Sequence, residues 1–269
     1  MFYAVGIGVL VFVAILAGCQ SRLIYHPRAT LEISPRDAMG LDYDDVTLLC
    51  ADGVKIHGWY IPAEGATQTV LVFHGNAGNI SDRIETIRML NGLGHTVFIV
   101  DYHGYGQSGG SPGETATYLD AQAAWNYLVE TKQCAPSQIV LFGRSLGAAV
   151  GIELATHHPD AGGLIVESAF TSTGDMASNM YWWLPGLRHL LYIRYPSIDR
   201  IGQVKCPLLV VHSPEDEMIP FSMGQRLFEA ARGPKTFCEI SGPHNGGYLQ
   251  SIDVYLPALD TFFRTSASQ

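Results

Sequence analysis

The sequence predicts an α/β protein built on a mostly parallel β-sheet with helices on both faces. Short, continuously apolar runs such as Thr69–Phe73 and Thr96–Val100 alternate with longer segments of helical period. Runs without polar alternation are typical of strands that are buried on both faces of a sheet. Glycine-rich segments carrying His or Asp follow these runs. In parallel sheets the functional site lies at the carboxyl ends of the strands, which is where these glycine-rich segments fall.

The elements begin with a hairpin, in which Asp45–Leu49 and Val54–Ile61 are strands and Ala51-Asp52-Gly53 is the turn. The alternation of strands and helices starts after this hairpin. We predict further strands at 69–73, 96–100, 138–142, 163–166, 207–212 and 236–240, and helices at 81–91 (capped by Ser81), 114–131, from Ser145 to near His157, 222–231 and 248–263.

The stretch from Thr171 to Val204 interrupts the alternation, because it is longer than an ordinary connection between elements. It contains an aromatic and leucine-rich run, Tyr181–Tyr192. Two interpretations stay open, a small helical insert or lid over the site and an extra helix packed on the sheet. The predicted organisation is a segment 1–21 followed by one α/β domain over 22–269, with the insert at about 171–204.

The first 21 residues contain no charged side chain, and Phe2–Ala17 is almost continuously apolar. This segment is excluded from the fold prediction. It could span a membrane, since about 20 apolar residues cross a bilayer. It also resembles a bacterial lipoprotein signal, because Leu16-Ala17-Gly18-Cys19 matches a lipobox in which Cys19 would carry the lipid. A third interpretation is an ordinary signal peptide, although such a peptide would begin with a basic region that is absent here. A fourth is a buried helix of the core.

Two of these interpretations place the protein on a membrane. In one, it is lipid-anchored in the bacterial cell envelope through Cys19; in the other, it has a single-pass anchor. Arg22 and Arg28 follow the apolar run. An uncleaved anchor would therefore keep the domain on the cytoplasmic side.

Composition narrows the classes of function. The 269 residues are 47% hydrophobic, enough for one large domain with a substantial core. A formal net charge of −9 argues against nucleic acid as a partner, since nucleic-acid binding requires a basic surface. The other cysteines form no C-x-x-C pair and indicate no zinc or redox motif. They are predicted to be buried thiols, and if two pair, Cys206 and Cys238 are favoured because their strands should be neighbours.

The segment Gly143-Arg144-Ser145-Leu146-Gly147 lies between a predicted strand and a predicted helix. A serine between two glycines at such a turn is the nucleophile-elbow pattern. The turn is tight and leaves no room for a Cβ at either glycine, while it holds the serine hydroxyl out from the sheet. Because a serine hydroxyl is a poor nucleophile until a base takes its proton, this pattern predicts an acid and a histidine as partners.

Chain order predicts where these partners lie, since the acid should follow the serine and the histidine should come last. Asp216, in a loop directly after the predicted strand 207–212, is the preferred acid. His244 lies in a glycine-rich loop after the last strand and is the only histidine downstream of both Ser145 and Asp216. The predicted catalytic residues are therefore Ser145, Asp216 and His244. The rival acids are Glu215, Glu217 and Glu167.

The tetrahedral intermediate needs two backbone N–H donors, which form an oxyanion hole. We predict that these are the N–H of Leu146, directly after the serine, and that of Asn76, in the loop after the strand Thr69–Phe73. His74 is expected to brace this loop and Asp101 to shape a neighbouring turn. Arg144 is expected to pair with an acid, or alternatively to meet an anionic substrate.

The chain resembles the alpha/beta-hydrolase family. The resemblance is carried by Ser145, Asp216 and His244, by the His74–Asn79 loop and by Glu167-Ser168-Ala169-Phe170. Leu23-Ile24-Tyr25-His26-Pro27, after the apolar segment, is similar to the membrane-anchored branch of protein depalmitoylases and bud-emergence-type hydrolases. The resemblance covers roughly 22–265. It implies an eight-stranded, mostly parallel sheet, the same three catalytic residues, and ester or thioester hydrolysis without a metal or cofactor. It does not determine the substrate.

The expected function is that of a serine hydrolase. It would cleave carboxylic esters or thioesters that carry an apolar acyl group, through an acyl-enzyme. Its partners would be a small-molecule or acyl-chain substrate and, through the N-terminal segment, a membrane. A peptidase or amidase of the same fold is a rival hypothesis, although no residue is recognised that would bind an amino terminus. A catalytically silent binding scaffold and different chemistry on the same fold are two further hypotheses.

Overall fold

The structure, a computed structural model, describes residues 20–267. Each strand predicted from the sequence is present, and its ends agree within two residues. The described strands are β1 (His26–Pro27), β2 (Asp44–Leu49), β3 (Lys55–Ile61), β4 (Thr69–Phe73), β5 (Ala77–Gly78), β6 (Thr96–Val100), β7 (Ile139–Arg144), β8 (Gly163–Glu167), β9 (Leu208–His212) and β10 (Lys235–Glu239).

The main sheet has eight strands in the order β10-β9-β8-β7-β4-β6-β3-β2. The predicted hairpin β2–β3 is antiparallel, and β3 joins β6 antiparallel as well. The remaining neighbours are parallel. A separate two-stranded sheet pairs β1 with β5. The prediction of a mostly parallel sheet is confirmed, and the carboxyl ends of β4, β7, β8 and β9 lie along one edge.

The helices differ from their predictions mainly at their ends. Asn79, not Ser81, caps the third helical segment, because the Asn79 side chain accepts the Ser81 N–H while a 3₁₀ turn, Ile80–Arg83, precedes the α-helix. The described α-helices are Gln20–Ile24, Pro35–Met39, Ile84–Gly92, Glu114–Asn126, Leu146–His157, Thr173–Met180, Ser197–Arg200, Phe221–Ala230, Gly247–Gln250 and Ile252–Ser266.

The central strand β4 shows why its sequence is continuously apolar. Leu71 and Phe73 belong to the core on one face of the sheet. Val70 and Val72, which alternate with them, belong to the core on the other face. Because successive side chains point to opposite faces, a strand covered on both sides needs an apolar residue at every position.

The predicted insert is helical and is tied to the start of the described chain. Its helix Thr173–Met180 is followed by a 3₁₀ turn, Leu187–Leu190. The Gln20 side chain donates to the Leu190 carbonyl over 3.1 Å and accepts the Tyr192 N–H over 2.9 Å. Hydrogen bonds therefore join the insert to the segment that begins at Gln20.

The N-terminal predictions concern mostly residues outside the described part, since Cys19 and the run Phe2–Ala17 precede Gln20. Within residues 20–267, no helix is both long and apolar enough to cross a bilayer. The four cysteines between Gln20 and Ala267 are free, so the conditional pairing of Cys206 with Cys238 does not occur. Cys238 lies opposite Val211. Because Cys206 precedes Val211 by five residues, Cys238 and Cys206 lie roughly 16 Å apart along the strand direction.

Candidate active site

The turn at Ser145 is strained. Ser145 has φ of 55°, a left-handed value that is unfavourable for a residue with a side chain. A Cβ at Gly143 would lie 2.2 Å from the Gly147 carbonyl oxygen, and one at Gly147 would lie 1.9 Å from the Phe73 carbonyl oxygen. Both glycines are therefore required by contact with backbone, as the pattern predicts. The Ser145 N–H donates to the Glu167 carbonyl over 2.9 Å, which fixes the turn to β8.

Asp216 and His244 lie together, although 28 positions separate them in the chain. The His244 Nδ1 is 2.8 Å from Asp216 Oδ2, and both side chains are buried. Asp216 Oδ1 accepts the N–H groups of Met218 and Ile219 over 2.9 and 2.8 Å. Burial opposes ionisation, but hydrogen bonds from His212, His244 and the Ile219 N–H outweigh it and hold the pKa of the Asp216 carboxyl well below its usual range.

The rival acids have other partners. Glu217 accepts the His244 backbone N–H over 2.9 Å, and Glu215 accepts the Gly242 N–H over 3.0 Å. All three acids of this loop therefore hold the His244 loop, but only Asp216 meets the imidazole ring. Sequence order alone does not separate these acids, since the distinction depends on which carboxylate faces the ring.

Arg144 pairs with Glu167, as one of its two predicted roles requires. The Arg144 Nε is 2.7 Å from Glu167 Oε1, and the guanidinium lies 4.0 Å above the centre of the Tyr248 ring. Tyr255 donates its hydroxyl to Glu167 over 2.6 Å. Burial opposes the charge on Arg144, but Glu167 outweighs it and raises the pKa of the guanidinium. Glu167 is thus fully engaged beneath the elbow.

Arg144→Met is expected to lower the free energy of unfolding by about 3 kcal/mol, because it leaves the Glu167 carboxylate buried without its cation. The Glu167 side chain is only 1% exposed, so solvent compensates little. Urea denaturation of the full chain in detergent would measure this change. The matched control is Arg36→Met, which removes the exposed pair with Asp42 and should change the free energy by less than about 0.5 kcal/mol. Equal effects for both variants would contradict the argument.

The predicted oxyanion donors lie beside the serine. Asn76 and Leu146 line the same cavity as Ser145. Within residues 20–267, neither the Asn76 N–H nor the Leu146 N–H donates a hydrogen bond, so both are available to an oxyanion. The Asn76 carbonyl accepts from the His26 N–H over 3.0 Å and from the Tyr105 hydroxyl over 2.7 Å. These two bonds orient the peptide plane of the loop.

His74 and Asp101 contact the loop that contains Asn76 and the residues that follow it. The His74 ring packs against the Tyr102 ring with 4.4 Å between centroids and a tilt of 35°, and the His74 Nδ1 lies 2.7 Å from the Gly75 carbonyl. Asp101 is fully buried and accepts the Ile80 N–H over 3.0 Å, while the His74 Nε2 lies 3.4 Å from the same oxygen. His74 therefore braces the loop as predicted from the sequence, and Asp101, which was predicted to shape a neighbouring turn, also holds the backbone at Ile80.

The part played by the segment after Gln20 was missed by motif reasoning. β1 pairs with β5 in the register His26↔Ala77, and the Asn76 side chain donates to the Ile24 carbonyl over 2.8 Å. Two residues of strand give too weak a periodic signal for prediction. The segment nevertheless holds the loop that contains Asn76 and forms one wall of the cavity.

A cavity of about 380 Å³ opens at Ser145. It also contacts Met218 and Ile219, the residues whose N–H groups hold Asp216. Among its lining residues none is Asp, Glu, Lys or Arg, and most are apolar. The lining residues are Gln20, Leu23, Ile24, His26, Asn76, Ser145, Leu146, Phe170, Thr173, Met176, Ala177, Met180, Tyr181, Leu187, Leu191, Met218 and Ile219.

A second buried cluster, Cys50, His103 and Asp120, lies away from this cavity. Its ligand atoms lie within 4.8 Å of one another, a spacing that a metal ion could use. The Cys50 thiol donates to Asp120 Oδ1 over 3.3 Å, and His103 Nδ1 lies 2.5 Å from that oxygen. Burial raises the pKa of the Cys50 thiol, which favours a neutral hydrogen-bond donor over a thiolate ligand. Hydrogen bonding explains the cluster as a link between the β2–β3 turn and the helix Glu114–Asn126.

The amino-acid sequence is similar to those of known proteins. The family model described as serine aminopeptidase, S33, matches residues 64–199. The chain is also 37% identical over 280 residues to the alpha/beta hydrolase domain-containing protein WAV2 of Arabidopsis thaliana, with 95% of this chain and 91% of that protein covered. The chain belongs to the alpha/beta-hydrolase family. The predicted resemblance is thereby confirmed at the level of the family.

Two further similarities bear on this alpha/beta-hydrolase. It is 32% identical over 247 residues to an uncharacterized membrane protein of Saccharomyces cerevisiae, with 88% of this chain and 87% of that protein covered. The structure of the Pyrococcus furiosus esterase Pf2001 superposes with a TM-score of 0.75 at 19% identity, covering 91% of this chain and 98% of that one. The second similarity confirms the fold, and membership of the family identifies the protein as a hydrolase.

Proposed function

We propose that this hydrolase is a serine esterase or thioesterase for substrates with an apolar acyl group. The observation that carries the proposal is the cavity, which joins Ser145 to an apolar lining without Asp, Glu, Lys or Arg. An acyl chain gains free energy by leaving water in such a cavity, whereas a charged substrate would lose its hydration without a partner. The hydrogen-bonded pair Asp216–His244 supports the serine mechanism.

In the proposed reaction, Ser145 Oγ attacks the acyl carbonyl carbon while His244 Nε2 takes the hydroxyl proton. The oxyanion accepts hydrogen bonds from the N–H groups of Asn76 and Leu146. His244 then returns the proton to the departing alcohol or thiol, and the acyl group stays on Ser145. A water molecule then attacks the acyl carbonyl carbon while His244 takes its proton. His244 returns this proton to Ser145 Oγ, and the acid is released. Asp216 holds the His244 ring with Nδ1 protonated and stabilises the imidazolium.

A peptidase is the second candidate, because the matching family model is described as a serine aminopeptidase. An aminopeptidase must bind the positively charged amino terminus of its substrate, for which a carboxylate is the ordinary partner. The cavity lining offers none. The ester and thioester function is therefore favoured over the amide function.

The test uses the full chain in detergent, a fluorophosphonate probe and intact mass. A single adduct on the wild type, lost in Ser145→Ala, would support an activated Ser145. Matched octanoyl ester, thioester and amide substrates would follow, with hydrolysis of the first two expected. Absence of an adduct on the folded chain would contradict the serine mechanism, and amide hydrolysis faster than ester hydrolysis would favour the peptidase.

Ala177→Trp is expected to lower kcat/KM for a dodecanoyl ester by at least about tenfold, since the larger side chain fills part of the cavity. The acetyl ester needs little of this space and should be hydrolysed at close to the wild-type rate. Ala177 lines the cavity, whereas its neighbour Ser178 is exposed and does not. Ser178→Trp is therefore the matched control. A parallel loss for both acyl lengths, or an equal effect of Ser178→Trp, would contradict an acyl-binding cavity.

Membrane attachment through the N-terminal segment is a further part of the proposal, supported by the membrane protein among the relatives. Lipid attachment at Cys19 and an uncleaved apolar anchor differ in mass. Cys19→Ala would remove a lipid-sized mass from the membrane-bound protein in the first case. An unchanged, full-length mass would support the uncleaved anchor and contradict the lipoprotein.

A further inference from the structure

We propose that the face around the mouth of the cavity docks on an anionic phospholipid bilayer, so that acyl groups reach Ser145 from the lipid. This face, named here the mouth face, comprises the segments 20–31 and 176–194 together with Met218. The role given to Ser145 rests on the proposed function. The docking itself rests on the exposure, charge and position of the residues in the mouth face.

The rim of the cavity is apolar and exposed. Leu23, Met180 and Met218 all line the cavity, yet they are 52%, 62% and 48% exposed. Each therefore has one side toward the cavity and one toward solvent. Large exposed apolar groups that surround the mouth of a pocket are a cost in water and indicate a surface that is covered in use.

Aromatic side chains extend this rim. Trp182 and Trp183 follow the rim residue Met180 closely in the chain and are 80% and 52% exposed. Trp183 packs edge-on against Tyr181, which itself lines the cavity. Tyr192, 60% exposed, follows the lining residue Leu191. Tryptophan and tyrosine are the side chains that favour the boundary between lipid headgroups and acyl chains.

The position of this rim relative to the N-terminal segment favours a bilayer over other apolar partners. Gln20 is the first described residue, and its side chain is held by the Leu190 carbonyl and the Tyr192 and Ile193 N–H groups of the insert. The uncharged, largely apolar sequence 1–19 therefore joins the fold at the mouth face. A membrane reached by that sequence would lie against this face.

The two segments of the mouth face carry a charge opposite to that of the whole protein. The segments 20–31 and 176–194 contain arginines and not one aspartate or glutamate, although the chain has 25 acidic residues and a net charge of −9. Within the described residues, Arg22 and Arg194 form no ion pair, whereas Arg28 pairs with Glu32 and Asp82 and Arg188 pairs with Asp175. Unpaired arginines beside an apolar rim are complementary to anionic lipid headgroups.

The test measures which tryptophans of the full chain meet acyl chains. The chain, reconstituted in POPC/POPG vesicles, is compared with the same vesicles made from lipids brominated along the acyl chain, which quench tryptophan on contact. Trp59 and Trp125 are 1% and 4% exposed and serve as internal references. Since the other two of the four tryptophans lie on the mouth face, roughly half of the emission should be quenched. The variant Trp182→Phe with Trp183→Phe should lose this quenching.

Quenching that is absent, or that persists in the double variant, would overturn the docking. If the mouth face instead bound a second copy of this chain, the two copies would separate in detergent when the two tryptophans are replaced. Arg22→Gln with Arg194→Gln should reduce quenching in POPC/POPG but not in POPC, and equal quenching of the wild type in both lipids would contradict the anionic preference. Acetyl ester hydrolysis in the same vesicles separates the two proposals. An active, unquenched protein overturns the docking alone, and a quenched, inactive one overturns the proposed function alone.

Discussion

Asp216→Asn is expected to lower kcat for ester hydrolysis by about 10³–10⁴-fold while the fold is retained. The Asn oxygen can still accept the N–H groups of Met218 and Ile219, so the loop keeps its shape. Its NH₂ group, however, would face His244 Nδ1 and force the proton onto Nε2, where the base must be free. Steady-state kinetics with an acetyl ester, together with circular dichroism, would measure both parts of the expectation.

The neighbouring acids provide matched controls. Glu215→Gln and Glu217→Gln alter carboxylates whose hydrogen bonds to the His244 loop come from backbone N–H groups, those of Gly242 and His244. Each should reduce kcat by less than about tenfold, since the amide oxygen can accept the same bond. A loss for Glu217→Gln as large as that for Asp216→Asn would show that the assignment of the acid is wrong.

The same aspartate makes stability depend on pH. Its folded-state pKa lies below that of the unfolded chain, because hydrogen bonds from His212, His244 and the Ile219 N–H outweigh burial. The resulting stabilisation is present above the unfolded value of about 3.9 and is lost as pH falls toward the folded value. The difference in free energy of unfolding between wild type and Asp216→Asn should therefore shrink from pH 7 to pH 3. A constant difference would contradict this linkage.

Gly147→Ala is expected to destabilise the protein by about 3 kcal/mol and to abolish hydrolysis. The added Cβ would lie 1.9 Å from the Phe73 carbonyl oxygen and 2.7 Å from that of His74. Because these are backbone atoms, the helix Leu146–His157 must move away from β4, and Ser145 must move away from the loop that contains Asn76. Urea denaturation and fluorophosphonate labelling of the full chain would measure the two effects.

Gly151→Ala is the matched control in the same helix. Its added Cβ would meet only side-chain atoms, Leu164 Cδ1 at 3.3 Å and Phe73 Cδ2 at 3.6 Å. Alanine also has the higher helix propensity, by about 1 kcal/mol. We expect the free energy of unfolding to stay within about 1 kcal/mol of wild type and labelling to be retained. Equal loss in the two variants would mean that the elbow contact is not the cause.

The sequence by itself determined the sheet and the tight turn at Ser145. Apolar runs without alternation predicted strands covered on both faces, and alternate residues of β4 do contribute to two separate cores. The glycines around Ser145 predicted a turn without space for a Cβ, which the distances to neighbouring backbone explain. These signals are local, because strand burial and turn geometry constrain residues that are adjacent in the chain.

Only the tertiary structure decided which residues meet across the chain. It shows that Asp216, rather than Glu215 or Glu217, faces His244, and that Glu167 is engaged by Arg144. It also brings the segment at Gln20 against the insert and the loop that contains Asn76, where together they line the cavity. Such contacts depend on how loops of distant sequence position pack against one another, and no periodicity or spacing along the chain records that packing.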